Sequence, residues 1–140
     1  MKKIVLTSIF LCLLIWSCNC TKKVVADTPS ALLSGIFTVL TINEEEISPP
    51  AVLEFNKAEN KISGNAGCND FSGKYTQDAD ALNIGLLTST KMYCDGAMKN
   101  EYAIQRVLKN VGSFDISNGT LTLYSRIEKK PLLTAIKNKE

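Results

Sequence analysis

Two cysteines, Cys68 and Cys94, bracket a stretch whose first third carries three glycines, Gly64, Gly67 and Gly73. It reads GNAGCNDFSGKY over residues 64–75 and ends LTSTKMYC over residues 87–94, with a polar turn and a short apolar run between. Glycine inside a strand permits a sharp bend or the close approach of a second backbone. The flanking chain must therefore fold around a bent β-segment. The run Gly64 to Asn69 lacks the GxxxxGK[ST] and GxGxxG spacings, and no helix is expected directly after it. It reads as packing glycines rather than a phosphate cradle.

The start of the chain is a delivery segment. Lys2 and Lys3 precede the apolar run Ile4 to Trp16, and Ser17-Cys18 follows. A basic start, an apolar centre and a small residue at the cleavage point mark residues 1–17 as a secretory signal peptide. The run falls short of the roughly 20 apolar residues that span a bilayer. Leu14-Ile15-Trp16-Ser17-Cys18 resembles a bacterial lipobox, whose cysteine is acylated and becomes the mature N-terminus, although Trp16 is bulky for such a site. Plain secretion with Cys18 and Cys20 as thiols is the alternative. On the lipobox reading, residues 18–31 are a lipidated tether and residues 32–140 the folded domain. The expected place is the bacterial cell envelope, with a palmitate-type anchor on Cys18 holding the protein to a membrane, the outer one facing the periplasm.

Charge and cysteine usage fit that compartment. Two of the 16 basic residues leave with the signal, so 14 bases face 14 acids in the mature chain. No basic field remains for a nucleic-acid partner, which requires clustered Lys and Arg. Of the five cysteines, Cys12 leaves with the signal and Cys18 takes the lipid, leaving Cys20, Cys68 and Cys94. In an oxidising compartment Cys68 and Cys94 are the natural disulfide pair, with Cys20 free on the tether. Such a bridge closes a loop of about 27 residues, worth roughly 3 to 4 kcal/mol on the chain-entropy view. The alternative is two separate buried thiols acting as small apolar side chains.

The periodicity predicts many short strands and one helix. Strands are expected at Ile36 to Ile42, Ala51 to Phe55, Lys61 to Ser63, Leu82 to Ile84, Leu86 to Thr88 and Leu132 to Ile136. Asn118-Gly119 between Phe114 to Ser117 and Thr120 to Tyr124 marks a hairpin with a type I′ turn. The helix follows Cys94, with Asp95 as expected N-cap, Ile104, Val107, Leu108 and Val111 on the apolar face, Glu101 and Gln105 off it, and Gly112 as terminator. Seven to eight short strands and one helix share one core. The expected fold class is α+β, mainly antiparallel β, as a curled sheet or incompletely closed barrel wrapped around the helix.

The chemistry is narrow. The chain has no histidine, which excludes Ser-His-Asp and Cys-His nucleophiles and the HExxH zinc site. Glu44 to Glu46 reads as a solvated turn, and Asp78 with Asp80 as a hairpin turn without the remaining ligands of a calcium loop. No cofactor, metal or catalytic residue is expected. Asp70 and Asp95 form an acid/base couple only if folding joins them. Phe71, Tyr75, Tyr93 and Tyr102 either line a pocket or fill the core, and core filling is the default.

The run GNAGCNDFSGKY, the TSTKMYC segment, the helix carrying Glu101 and Leu108, and the strand-NG-strand pair ending at Leu123 together resemble the META/HslJ-like domain. The resemblance covers Leu33 to Ile136; Phe37 stands where the family's first strand usually has Trp. It implies an antiparallel, incompletely closed barrel around one helix, similar in shape to secretion-system pilotins. It also implies an envelope or lipoprotein role, linked in some members to heat shock or stress, without an assigned reaction. Cys68 and Cys94 fall on the family's cysteine positions, which favours their pairing. The resulting expectation is a non-enzymatic accessory module binding an envelope protein or an apolar ligand; the alternative is a thiol-dependent redox or stress enzyme using Cys68 and Cys94.

Overall fold

The computed structural model describes residues 31–96 and 98–139. The proposed signal peptide, Cys18, Cys20 and all but the last residue of the tether lie outside the described residues. Among the described residues ten strands and one helix follow in order: β1 (Gly35–Ile42), β2 (Glu45–Glu46), β3 (Val52–Asn56), β4 (Lys61–Asn65), β5 (Asp70–Asp78), β6 (Ala81–Ile84), β7 (Thr88–Ser89), α1 (Met98–Asn110), β8 (Val111–Ser117), β9 (Thr120–Ser125) and β10 (Pro131–Lys137). Eight of them form a ring in the order β1-β3-β4-β5-β6-β8-β9-β10, and β10 pairs back onto β1 from Phe37↔Lys137 to Ile42↔Leu133. Every pairing is antiparallel. The expected α+β barrel around one helix is present with eight strands in its wall, but it is closed rather than incompletely closed, because β10 pairs back onto β1.

One seam is thin. β6 and β8 share a single matched pair, Ala81↔Ser113, beside the bond from Phe114 N–H to the Asp80 carbonyl at 2.9 Å. Further along, a side chain replaces the ladder: Arg126 Nη2 donates to Asn83 Oδ1 at 2.9 Å and to the Val111 carbonyl at 3.2 Å.

Alternation explains what fills the ring. Phe37 and Val39 point inward from β1, and a register shift between Val39 and Thr41 turns Ile42 inward as well. Leu121 and Leu123 of β9 and Leu133 and Ala135 of β10 complete that wall. Phe55 meets Phe37 and Tyr75 edge-on, with ring centroids 6.0 and 5.4 Å apart. Ile104, Val107 and Leu108 of α1 join the same buried cluster, so the helix is part of the core. Phe37, in place of the family's usual Trp, is fully buried.

Several local expectations change. Asn118 and Gly119 have φ of 50° and 79°, as a type I′ turn requires. Asp95 is not the N-cap, because α1 begins three residues later at Met98. Gly112 does not end the helix in a left-handed turn. It lies inside β8, where a Cβ would sit 2.5 Å from Arg126 Cα. The C-terminal carbonyls are satisfied otherwise: Asn110 Nδ2 donates to the Arg106 carbonyl at 2.9 Å and Arg126 N–H to that of Asn110 at 3.0 Å. Glu45 and Glu46 pair with Ile42 and Thr41 as a minimal strand rather than remaining pure loop.

Two glycine replacements test the close approaches. A Cβ at Gly64 would lie 2.6 Å from the Phe71 ring, and one at Gly112 would meet the Arg126 backbone. Gly64→Ala and Gly112→Ala should each destabilise by about 1–3 kcal/mol in denaturant titration. Gly119→Asn, at an open turn position that tolerates positive φ, should change little. A second test is alkaline. Burial pushes the Tyr75 phenol above its ordinary range, and its hydroxyl donates to the Leu33 carbonyl at 3.0 Å. The folded state holds this proton more tightly than the unfolded chain, so the contribution is complete below about pH 10 and is lost as pH rises through the folded value. Tyr75→Phe should flatten that alkaline loss.

Candidate functional site

Cys68 and Cys94 are joined in a disulfide, with Cα atoms 5.8 Å apart. Beside it stands a polar residue that the sequence reading passed over. Asn69, 1% exposed, follows Cys68 in the link between β4 and β5. Its Nδ2 donates to Glu101 Oε2 at 2.9 Å and to the Met92 carbonyl at 3.0 Å. Its Oδ1 accepts from Met92 N–H at 2.7 Å and from Thr90 Oγ1 at 2.8 Å. A side-chain amide offers two donors and an oxygen with two lone pairs. All four are used, and the Met92 N–H fixes which end is oxygen.

Glu101 is the second buried polar residue, 4% exposed. The expectation that it lies off the apolar face is corrected: residues 101, 104 and 108 follow the i, i+3, i+7 spacing, so Glu101 shares the buried stripe with Ile104 and Leu108. Its Oε1 accepts from Gln105 Nε2 at 3.3 Å, and its place in the first turn of α1 sets the carboxylate at the positive end of the helix dipole. Asn69 and Glu101 thus lock α1 and the 90–92 segment onto the β4–β5 link, beside the disulfide. That is a structural knot.

The other singled-out residues remain apart from it. Asp70 accepts from Asn65 Nδ2 at 2.7 Å, whereas Asp95 occupies the turn before α1, and no hydrogen bond joins these acids. Asn65 Oδ1 also accepts from Gly67 N–H at 2.7 Å, closing the glycine run into a tight turn. Among the described residues no group of three or more His, Cys, Asp or Glu is placed to hold a metal ion. Phe71 and Tyr75 are core residues, but the core-filling default fails for Tyr93 and Tyr102, which are 85% and 59% exposed, and Tyr102 takes the pocket-lining alternative. Both follow or flank the knot, where the chain turns outward.

Tyr102 belongs to a cleft of about 850 Å3 between the β6–β7 link and α1. Ile84 pairs with Tyr75 and Thr88 with Ser72, so three steps along β5 are answered by four on the other strand. The extra residue makes a bulge at Gly85-Leu86-Leu87. Gly73 lets it sit close: a Cβ there would lie 2.8 Å from both the Leu86 carbonyl oxygen and Leu87 Cδ2. Leu86 is left 90% exposed. Across the cleft α1 contributes Tyr102, Gln105, Arg106 and Lys109, and no acidic residue lines it. A second, shallower groove of about 680 Å3 crosses the outer face of β3, β4 and β5 and is lined chiefly by Ser, Thr and Asn with Glu54, Lys61 and Asp70.

The knot is tested by Asn69→Ala, which strands the Glu101 carboxylate and the Met92 N–H; the expected loss is about 3 kcal/mol in denaturant titration. Asn69→Asp should be as damaging near neutral pH, where two carboxylates would face each other, and should recover stability as pH falls and one of them takes a proton.

The fold matches known structures. An NMR structure of a protein is similar over 76% of this chain and 91% of that one, at 26% identity and a TM-score of 0.59. An NMR structure of a protein from Burkholderia xenovorans shares the fold over 76% of this chain and 83% of its own, at 18% identity and the same TM-score. No curated protein matches. The META domain matches residues 32–139, which is the whole barrel with its helix and disulfide, and the chain belongs to the META domain family.

Proposed function

We propose that this protein is a lipid-anchored accessory module of the bacterial cell envelope, non-enzymatic, whose barrel presents a binding surface to another envelope component. The observation that carries the reading is the union of a lipobox-like Leu14-Ile15-Trp16-Ser17-Cys18 with a disulfide-tied barrel immediately downstream. A disulfide suits an oxidising compartment. The first described residues are tied down, since Leu33 N–H donates to Gln77 Oε1 at 3.1 Å and Gln77 Nε2 to the Ala31 carbonyl at 3.1 Å. On this reading residues 18–30 connect a lipid on Cys18 to the domain. No helix among the described residues is long and apolar enough to cross a membrane, so on this reading the anchor at Cys18 supplies the attachment.

The non-enzymatic half rests on chemistry. The chain lacks histidine, and the sulfurs of Cys68 and Cys94 are consumed in a bridge. Cys68 is buried beside Asn69 and Cys94 is half-buried, so one of the two sulfurs is shielded from the exchange partner that thiol cycling requires. The stress-related role that the family resemblance implies fits a module of this kind.

Cys18→Ala should move the protein from the membrane pellet to the soluble fraction, and intact-mass analysis of the wild-type protein should show the acyl addition together with the two-hydrogen deficit of one disulfide. An unchanged distribution between fractions would remove the anchor from the reading. Thiol titration should find the pair at positions 68 and 94 oxidised and resistant to mild reductant; ready, reversible reduction would favour the redox alternative instead.

A further inference from the structure

We infer that the cleft between β6 and α1 docks an extended acidic peptide segment of a partner protein, which adds a short strand to the free edge of β6. This rests on the reading of the chain as a binding module and names the class of partner. β6 runs to Ile84, but its pairing with β8 stops at Ala81. Gly85 N–H donates to the Lys74 carbonyl at 2.8 Å, toward β5. Main-chain groups of successive strand residues alternate in direction, so the N–H and C=O of Ile84 face the other way, into the cleft. An edge of this kind recruits an extended peptide through main-chain hydrogen bonds, and neighbouring pockets select its side chains.

The walls select the sequence. Leu86, Leu87 and Tyr102 offer apolar surface to every second side chain of an added strand. Arg106 and Lys109 stand on the exposed side of α1. Neither is in an ion pair; among the described residues the one such pair is Lys130–Glu128 at 2.8 Å. Two uncompensated cations beside an apolar floor complement a strand that alternates apolar and acidic residues. An alkyl chain would leave the Ile84 main-chain groups without partners. Residues 18–30 carry Lys22 and Lys23, like-charged with Arg106 and Lys109, and a second copy docking by the same face would set cations against cations. The volume of about 850 Å3 lies within the range of roughly 300–1,000 Å3 usual for defined binding clefts.

The test is a selection on the full chain, purified in detergent and immobilised by its C-terminus, from a phage-displayed library of random heptapeptides. Enriched sequences should alternate apolar and acidic residues. A synthetic copy of the leading peptide should shift the amide resonances of Ile84, Gly85 and Leu86. Its affinity should fall at least tenfold in Arg106→Glu/Lys109→Glu, a variant whose two sites are exposed and whose fold is checked by its unchanged amide spectrum elsewhere. N-methylation of alternate peptide bonds in the ligand should abolish the shifts. The proposal is overturned by an absence of enrichment, by basic consensus sequences, by affinity that the charge reversal leaves unchanged, or by shifts confined to another face. Saturation of the same amides by dodecanoate but not by any selected peptide would also overturn it, making the cleft an amphiphile site. Failure here, with envelope partners still recovered by membrane crosslinking, leaves the accessory-module reading standing; peptide binding by a protein that Cys18→Ala does not release from membranes separates the two the other way.

Discussion

Four hydrogen bonds from the Asn69 side chain to Thr90, Met92 and Glu101 decide where the helix can sit. A helix packed into a barrel by apolar contacts alone can rotate or slide, because the hydrophobic effect has no direction. The Asn69–Glu101 bond removes that freedom. It fixes one residue of α1 against one residue of the β4–β5 link, and the two bonds to Met92 fix the chain that enters the helix. The disulfide at Cys68 and Cys94 binds the same two segments covalently. Polar knot and covalent bond thus act on one joint, so loss of either leaves the other to hold α1 in register.

This arrangement also accounts for a buried carboxylate without a cation. Glu101 is 4% exposed and in no ion pair, a placement that is costly unless its oxygens are hydrogen-bonded. The amide of Asn69, the amide of Gln105 and the positive end of the helix dipole supply that compensation. A neutral or apolar side chain at position 101 would fill the space but would carry no information about which turn of α1 faces Asn69. The position is therefore spent on orientation rather than on packing.

Much of the barrel was legible because its signals are local. Asn118-Gly119 fixes a hairpin through backbone φ alone, and the alternation in β9 states which side faces inward. The helix was legible through Ile104, Val107 and Leu108, but Glu101 escaped because its charge hid a spacing that placed it on the same stripe. Asn69 had no local signal at all; its importance lies in partners more than twenty residues away, at Thr90, Met92 and Glu101. Tyr102 and Tyr93 were misplaced for the converse reason. Aromatic residues fill cores by default, and only the position of the helix relative to the bulge at Gly85-Leu86-Leu87 turns Tyr102 toward a cleft.

The thin seam and the cleft follow from the same cause as the packed core. Helix α1 runs into β8 with no intervening loop, Asn110 ending one and Val111 starting the other. A helix whose apolar face enters the barrel must pass between neighbouring strands at the point where it becomes one of them. β6 is held to β5 from Asp78↔Ala81 to Tyr75↔Ile84, so it cannot follow β8 outward, and their ladder ends at Ala81↔Ser113. Arg126 spans the gap with bonds to Asn83 and Val111 because strand cannot. Beyond it the edge of β6 stays open, with the exposed, basic side of α1 for its opposite wall. Filling the barrel with a helix that leads straight into a strand thus leaves one strand edge unpaired beside that helix.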